Sequence, residues 1–256
     1  MSRKTSLLDR LCSRRMRLLW LNAAREAETS DLDRVRELRS QARADQKALS
    51  RVLHVAEGRL ALPRLGSNAM HRPPGADWMW RPELWRGPVT PSGTAGVEPR
   101  TTFGEELVVH HDCPLKELTL RQHRNDRQGD LAPFGVAVDI LGFEGSYLSL
   151  LIQLPEKAAQ TLARRHIFRV ELSVERDRDI ALYGRLNVKN GPNTEQITTR
   201  FEGQDHALIA DFDLGFSHIN EKRVERLWLE VFFESPAMSR VDLRDLTVSR
   251  RHRAEV

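Results

Sequence analysis

Tyr183, Arg185 and Asn187 alternate with Gly184 and Leu186 in the segment Tyr183-Gly184-Arg185-Leu186-Asn187. On an extended strand that spacing puts the three polar side chains on one face, opposite Leu182 and Leu186. An aromatic ring beside a guanidinium and an amide is the chemistry of a sugar-binding row. The ring stacks on C–H faces and the forked donors take hydroxyls. Trp228 and Phe232 have the non-core parity of their own alternating segment and extend the row. Tyr147, the chain's other tyrosine, opens a further alternating segment and joins the candidate ligand-binding set. The same face has a plainer reading, as a sandwich surface covered by other parts of the chain.

Other chemistries find less support. In His110-His111-Asp112-Cys113, alternate residues of a strand point to opposite sides. His110 then pairs with Asp112 and His111 with Cys113, and neither pair fills a zinc shell of about four ligands. His123, His166, His206 and His218 stand as isolated histidines, so no metal ligands are assigned. A Gly-x-Ser-x-Gly elbow is absent, as is a phosphate-cradling Gly-rich loop. Cys113 reads as a buried small hydrophobe rather than a nucleophile. A glycosidase carboxylate pair can be drawn from Glu171, Glu195 or Glu230, with nothing to favour any two. No catalytic residue and no cofactor is assigned, and the chain reads as a non-enzyme.

The elements that position these residues follow from composition. Residues 1–57 hold 13 Lys and Arg against 8 Asp and Glu, whereas residues 101–256 hold 21 against 25. A basic end on a mildly acidic body suits a tail that meets an anionic surface. Only 6 of the 40 basic residues are Lys, so Arg abundance is also a habit of the whole chain. Residues 5–57 lack Pro and Gly and are rich in strong helix formers. Thr29-Ser30-Asp31 marks a break and a new N-cap. Two helices are predicted, about 5–28 and 31–57, with Gly58 as the C′ residue. Arg14, Arg15 and Arg17 cluster among Leu7, Leu8, Leu11, Leu18 and Leu19, a candidate contact with an anionic membrane. Val35, Leu38, Ala42, Asp45, Leu49, Val52 and Ala56 keep 3-4 spacing, a seam suited to self-association through residues 31–57.

Residues 58–100 contain seven prolines and read as a connector. Asp77–Pro88 nevertheless holds Trp78, Trp80 and Trp85, three of the five tryptophans. Such an aromatic strip either binds a sugar, base or Pro-rich partner, or pins the connector across the next domain. The apolar area of three indoles favours pinning. From about 103 to 250, apolar residues alternate with polar ones in eight or nine short segments, with one helical insert near 155–164. That is the signature of half-buried strands. The fold class is mainly β: an antiparallel β-sandwich of jelly-roll type over 101–256, preceded by a two-helix N-terminal arm. Asp245 is expected to bulge the last strand, Asn190–Gln196 reads first as a turn, and Arg250–Arg253 as a solvated tail.

Three segments carry a resemblance. They are Glu144–Leu150 leading to Pro155, Arg165–Glu171, and the closing pair Val231–Glu234 and Val241–Val248. Their layout resembles the jelly rolls of galactose-binding-like and carbohydrate-binding modules, which implies the sandwich and brings no activity with it. The whole chain is also similar to an alphaproteobacterial family without an assigned activity. Its characteristic segments are Asp77–Pro88, His111–Pro114 and Asn190–Gln196. The expected function is a non-catalytic binding or scaffolding protein with a glycan or protein partner. The alternatives are a peripheral membrane- or nucleic-acid-associated protein, and a β-sandwich hydrolase. The two distant cysteines and the lack of a 7–15-residue apolar signal run give a cytoplasmic expectation, with peripheral membrane contact open.

Overall fold

The first helix, α1, covers Leu7–Ala27, and the second, α2, covers Leu32–Leu60. The computed structural model describes residues 7–60, 70–127, 129–204 and 206–253 of the 256. The chain divides into two compact units, Met1–Leu53 and His54–Val256.

In the first unit, Asp31 caps α2 by accepting the Arg34 N–H at 2.8 Å. The Trp20 indole donates to Asp45 at 3.2 Å, which explains the acid in the expected seam. Leu38 is buried, while Leu49 and Val52 further along the seam are exposed. Arg14, Arg15 and Arg17 are exposed on α1, as are Leu11, Leu18 and Leu19. Leu7 and Leu8 lie outside the residues whose side chains are described. No helix of the described residues is long and apolar enough to cross a membrane.

In the second unit α2 runs past Gly58, which corrects the C′ assignment. A Cβ at Gly58 would lie 1.8 Å from the Arg86 carbonyl oxygen, and one at Gly87 would lie 2.2 Å from that of His54. These glycines are there for close approach of two backbones, not to stop a helix.

The strands are β1 (Ala76–Trp80), β2 (Gly93–Ala95), β3 (Thr101–Phe103), β4 (Leu107–His111), β5 (Leu118–Arg124), β6 (Phe134–Ile140) and β7 (Leu148–Gln153). There follow β8 (His166–Arg176), β9 (Leu182–Asn190), β10 (Asn193–Arg200), β11 (Glu202–Gln204), β12 (Ala207–Asp213), β13 (Val224–Phe233) and β14 (Ser239–His252). Short helices α3 (Glu83–Arg86) and α4 (Glu156–Gln160) interrupt them. Among the described residues they form an eight-stranded sheet, β11-β12-β8-β14-β6-β5-β2 with β1 beside β14, and a six-stranded sheet, β10-β9-β13-β7-β4-β3. Every pairing is antiparallel. The inward residues, among them Val170, Leu172, Leu186, Val188, Leu229, Val231 and Val248, form one buried cluster between the sheets. The molecule is a mainly β sandwich preceded by two helices.

The expected connector contributes strands and a buried strap; residues 61–69 lie outside the described residues. Trp85 is fully buried and its indole donates to the Leu243 carbonyl at 2.8 Å. Buried Gln122 donates to the Leu84 and Gly87 carbonyls and accepts from the Val89 N–H. Arg81 forks onto Asp245 at 2.8 and 2.7 Å, beside the register shift that bulges β14. Trp78 meets Phe168 edge-on, with ring centroids 6.2 Å apart.

Candidate functional site

The outer face of the six-stranded sheet gathers the residues that sequence spacing selects. β9 alternates inward Leu182, Leu186 and Val188 with outward Tyr183, Arg185, Asn187 and Lys189. Cross-strand register then fixes their neighbours. Tyr183 lies between Arg200 and Phe232, Arg185 between Thr198 and Glu230, Asn187 between Gln196 and Trp228, and Lys189 opposite Thr194 and Arg226. One strand on, Trp228 pairs with Gln153 and Phe232 with Ser149. Tyr147 shares the parity of Ser149 just ahead of β7 and is 42 % exposed. Sequence spacing and the fold therefore agree on a single surface.

Its side chains are cross-linked. Asn187 is fully buried: its amide donates to Glu230 Oε2 at 3.1 Å and accepts from Gln196 Nε2 at 3.0 Å. That corrects its expected role. The amide is committed to its neighbours, so it positions Glu230 and Gln196 instead of meeting a ligand. Arg185 lies 4.6 Å over the Phe232 ring, donates to Thr198 Oγ1 at 3.4 Å, and sits 3.7 Å from Glu230. Arg226 lies 5.2 Å over the Trp228 ring. The Tyr183 hydroxyl donates to Glu234 at 3.4 Å. Ser149 is buried with its hydroxyl unpartnered. Such a surface, with half-exposed rings between guanidinium and amide donors, can hold a ligand rich in hydroxyls.

Half of this surface is hard to find by sequence pattern. Asn190–Gln196 reads first as a turn, and its first part is one. Asn190 pairs with Asn193 around a two-residue loop, with Gly191 at φ 60°. The polar run that follows is a strand. As an edge strand it only half-buries its inner side, through Glu195, Ile197 and Thr199, and Ile197 alone is strongly apolar, so no hydrophobic alternation marks it. Thr198 and Arg200 carry no sequence signal for that reason. Glu230 and Arg226 carry a usable signal, the parity of Trp228 and Phe232.

The other candidates go elsewhere. Trp78, Trp80 and Trp85 pack on the core. Glu171 faces outward on the eight-stranded sheet, 3.5 Å from His71, and Glu195 accepts the His218 N–H at 3.0 Å. With Glu230 on the opposite sheet, the three carboxylates do not converge. His111 is buried against the Val97 carbonyl at 3.1 Å, and Asp112 accepts from Ser146 and Tyr147. Hydrogen bonds from those groups, the Ser146 hydroxyl foremost, hold the Asp112 carboxyl below its ordinary range.

The expected solvated tail is β14 itself, and His166 is not isolated. Buried Arg250 forks onto Asp77 at 3.1 and 2.7 Å and donates to Thr161 at 2.8 Å. Asp77, His166 and His252 bring ligand atoms within 4.8 Å of one another. The set is a poor metal shell on its chemistry. Arg250 occupies both Asp77 oxygens, and His166 Nδ1 accepts the Ala163 N–H at 3.0 Å, which leaves the neutral ring's proton on Nε2. Burial, then the charge of Arg250, pushes the His166 pKa down to about 4. Burial works against the Asp77 charge, but the Arg250 hydrogen bonds and charge, with smaller contributions from His166 and His252, together hold the carboxyl low. This is a knot that fastens β1 to β14.

Among solved structures, the chain is similar to a family 11 carbohydrate-binding module from Clostridium thermocellum in complex with a β-1,3-1,4-mixed-linked tetrasaccharide. Identity is 7 %, over 62 % of this chain and 96 % of that one, with a TM-score of 0.39. A xylan-binding domain of carbohydrate-binding module family 22 gives 11 % identity over 72 % and 100 %, with a TM-score of 0.35. The enzymatically active domain of bacteriophage CBA120 tailspike protein 4 gives 4 % identity and a TM-score of 0.39, over 56 % of this chain. The chain spans 19 % of that tailspike chain. No curated protein matches the chain. Residues 1–256 match the family described as "Family of unknown function (DUF6478)", and the chain belongs to it.

Proposed function

We propose that this member of the DUF6478 family is a non-catalytic sugar-binding protein whose ligand lies across β10, β9 and β13. The observation that carries the reading is the register. Tyr183, Arg185 and Trp228 share one outward face, with Gln196 and Thr198 beside them. Rings supply stacking area, and guanidinium and amide groups supply directed donors. Glu230 is engaged by Asn187 and Arg185, which speaks for a positioning role over a hydrolytic one. The test is a glycan array probed with the full-length chain and with Trp228→Ala and Arg185→Ala, each variant checked for an unchanged thermal transition. Saturable binding that both variants lose supports the reading. Silence from a folded wild-type chain overturns it and turns the search to a protein partner.

A second reading rests on α1, whose exposed Arg14, Arg15 and Arg17 neighbour exposed Leu18 and Leu19. Such a helix can lie on an anionic bilayer at the periphery of a membrane. Flotation with phosphatidylserine vesicles tests it. Binding that is lost in the triple Arg→Glu variant supports it, and wild-type protein left at the bottom of the gradient ends it.

A further inference from the structure

Two of the rings on this face are already roofed. Arg185 covers Phe232 and Arg226 covers Trp228, at 4.6 and 5.2 Å. Arg185 turns its edge to Thr198 and Glu230, whereas Arg226, stacked on its ring, presents its N–H edge to a planar anion. A sugar reaching these rings therefore meets cation edges first. The charge balance of the row points the same way. Arg185 is offset by Glu230 at 3.7 Å. Among the described residues, Lys189, Arg200 and Arg226 have no carboxylate partner. Register puts Arg200 beside Tyr183 at one end and Arg226 beside Lys189 at the other. Six residues of β9 separate the ends, roughly 20 Å at strand rise.

We propose that the ligand of this face is an acidic polysaccharide, with a carboxylate on its sugar units set against the cations at both ends of the row. The inference rests on the sugar-binding reading and adds the class of sugar. Charge spacing favours it over nucleic acid. A duplex carries a charge about every 1.7 Å along its axis and is held by many phosphate contacts. Uncompensated cations at the two ends of the row, Arg200 at one and the neighbours Lys189 and Arg226 at the other, match a polymer with wider charge spacing.

The test uses the full-length chain and a matched pair of probes: polygalacturonate, and the same polymer with its carboxylates reduced to primary alcohols. An oligothymidylate is the third arm. The expected result is saturable binding of polygalacturonate that weakens at least tenfold on carboxyl reduction. Arg226→Ala and Arg200→Ala should each weaken it by a similar factor. Arg240→Ala, which removes a cation from the opposite sheet, should leave it unchanged. Equal binding of both polymers overturns the acidic class while leaving the sugar-binding reading intact. Binding of neither overturns both. Preference for the oligothymidylate, or an equal loss from Arg240→Ala, reduces the effect to non-specific charge and overturns the inference.

Discussion

The two outer faces of the sandwich use their charges in opposite ways. On the eight-stranded sheet, charges are paired across strands. Arg169 forks onto Asp211 at 2.8 and 2.7 Å, His123 meets Asp242 at 2.7 Å, and Arg240 lies 3.6 Å from Asp139. Glu175 is shared by Arg127 and Arg244. On the six-stranded sheet the charges are largely cationic, two of them lie over rings, and three lack an acid. The hydrophobic core demands neither pattern, since both faces point away from it. Charges that satisfy one another contribute to stability. Charges left unsatisfied beside aromatic rings leave room for a ligand.

Four predictions can break or sharpen this contrast. The largest effect is expected at Arg244, which is 7 % exposed and bonds Asp130 at 3.2 Å through Nε. Arg244→Ala strands a buried acid and should cost about 3–5 kcal/mol in urea denaturation. A loss below about 1 kcal/mol would mean that the paired face is not structural.

The next effect is pH dependence, and two histidines give it opposite signs. The His166 pKa is lowered from 6.5 to about 4, so the unfolded chain takes up its proton first as pH falls. Stability is full above pH 6.5 and should decline by about 3 kcal/mol on the way to pH 4, and His166→Gln should flatten that decline. The Asp242 hydrogen bond raises the His123 pKa. Its contribution is full below 6.5 and is lost as pH rises through the folded pKa. His123→Gln should remove that alkaline loss and leave the acid limb intact. Smaller still, Arg169→Ala breaks a half-exposed pair and should cost about 0.2–1 kcal/mol. On the opposite face, Arg226→Ala gives up only the exposed contact with the Trp228 ring and no ion pair, and should change stability by about 0.5–1 kcal/mol at most.

How far the sequence foretells this contrast differs by element. The strands with inward Leu, Ile and Val, such as β6, β8 and β13, are legible because half-burial writes a period of two. The Asp245 bulge is legible for the same reason, as a break in that period. β10 and β11 are not, because edge strands need no apolar side. Trp78, Trp80 and Trp85 announce burial by size, but the partners that fasten the strap lie far away in sequence: Arg81 with Asp245, Asp77 with Arg250, Trp85 with the Leu243 carbonyl. The candidate row is half legible. Parity picks out Tyr183, Arg185 and Trp228, whereas the commitment of Asn187 and the guanidinium roofs depend on cross-strand neighbours that spacing along one strand does not reveal.

The contrast between the faces is tested most directly by one glycan array run with three full-length proteins: wild type, Arg226→Ala/Trp228→Ala, and Arg169→Ala/Asp211→Ala. The account predicts a glycan signal from wild type that survives in the Arg169/Asp211 variant and disappears in the Arg226/Trp228 variant, all three remaining folded. Equal signals from all three proteins, or none from wild type, would contradict it.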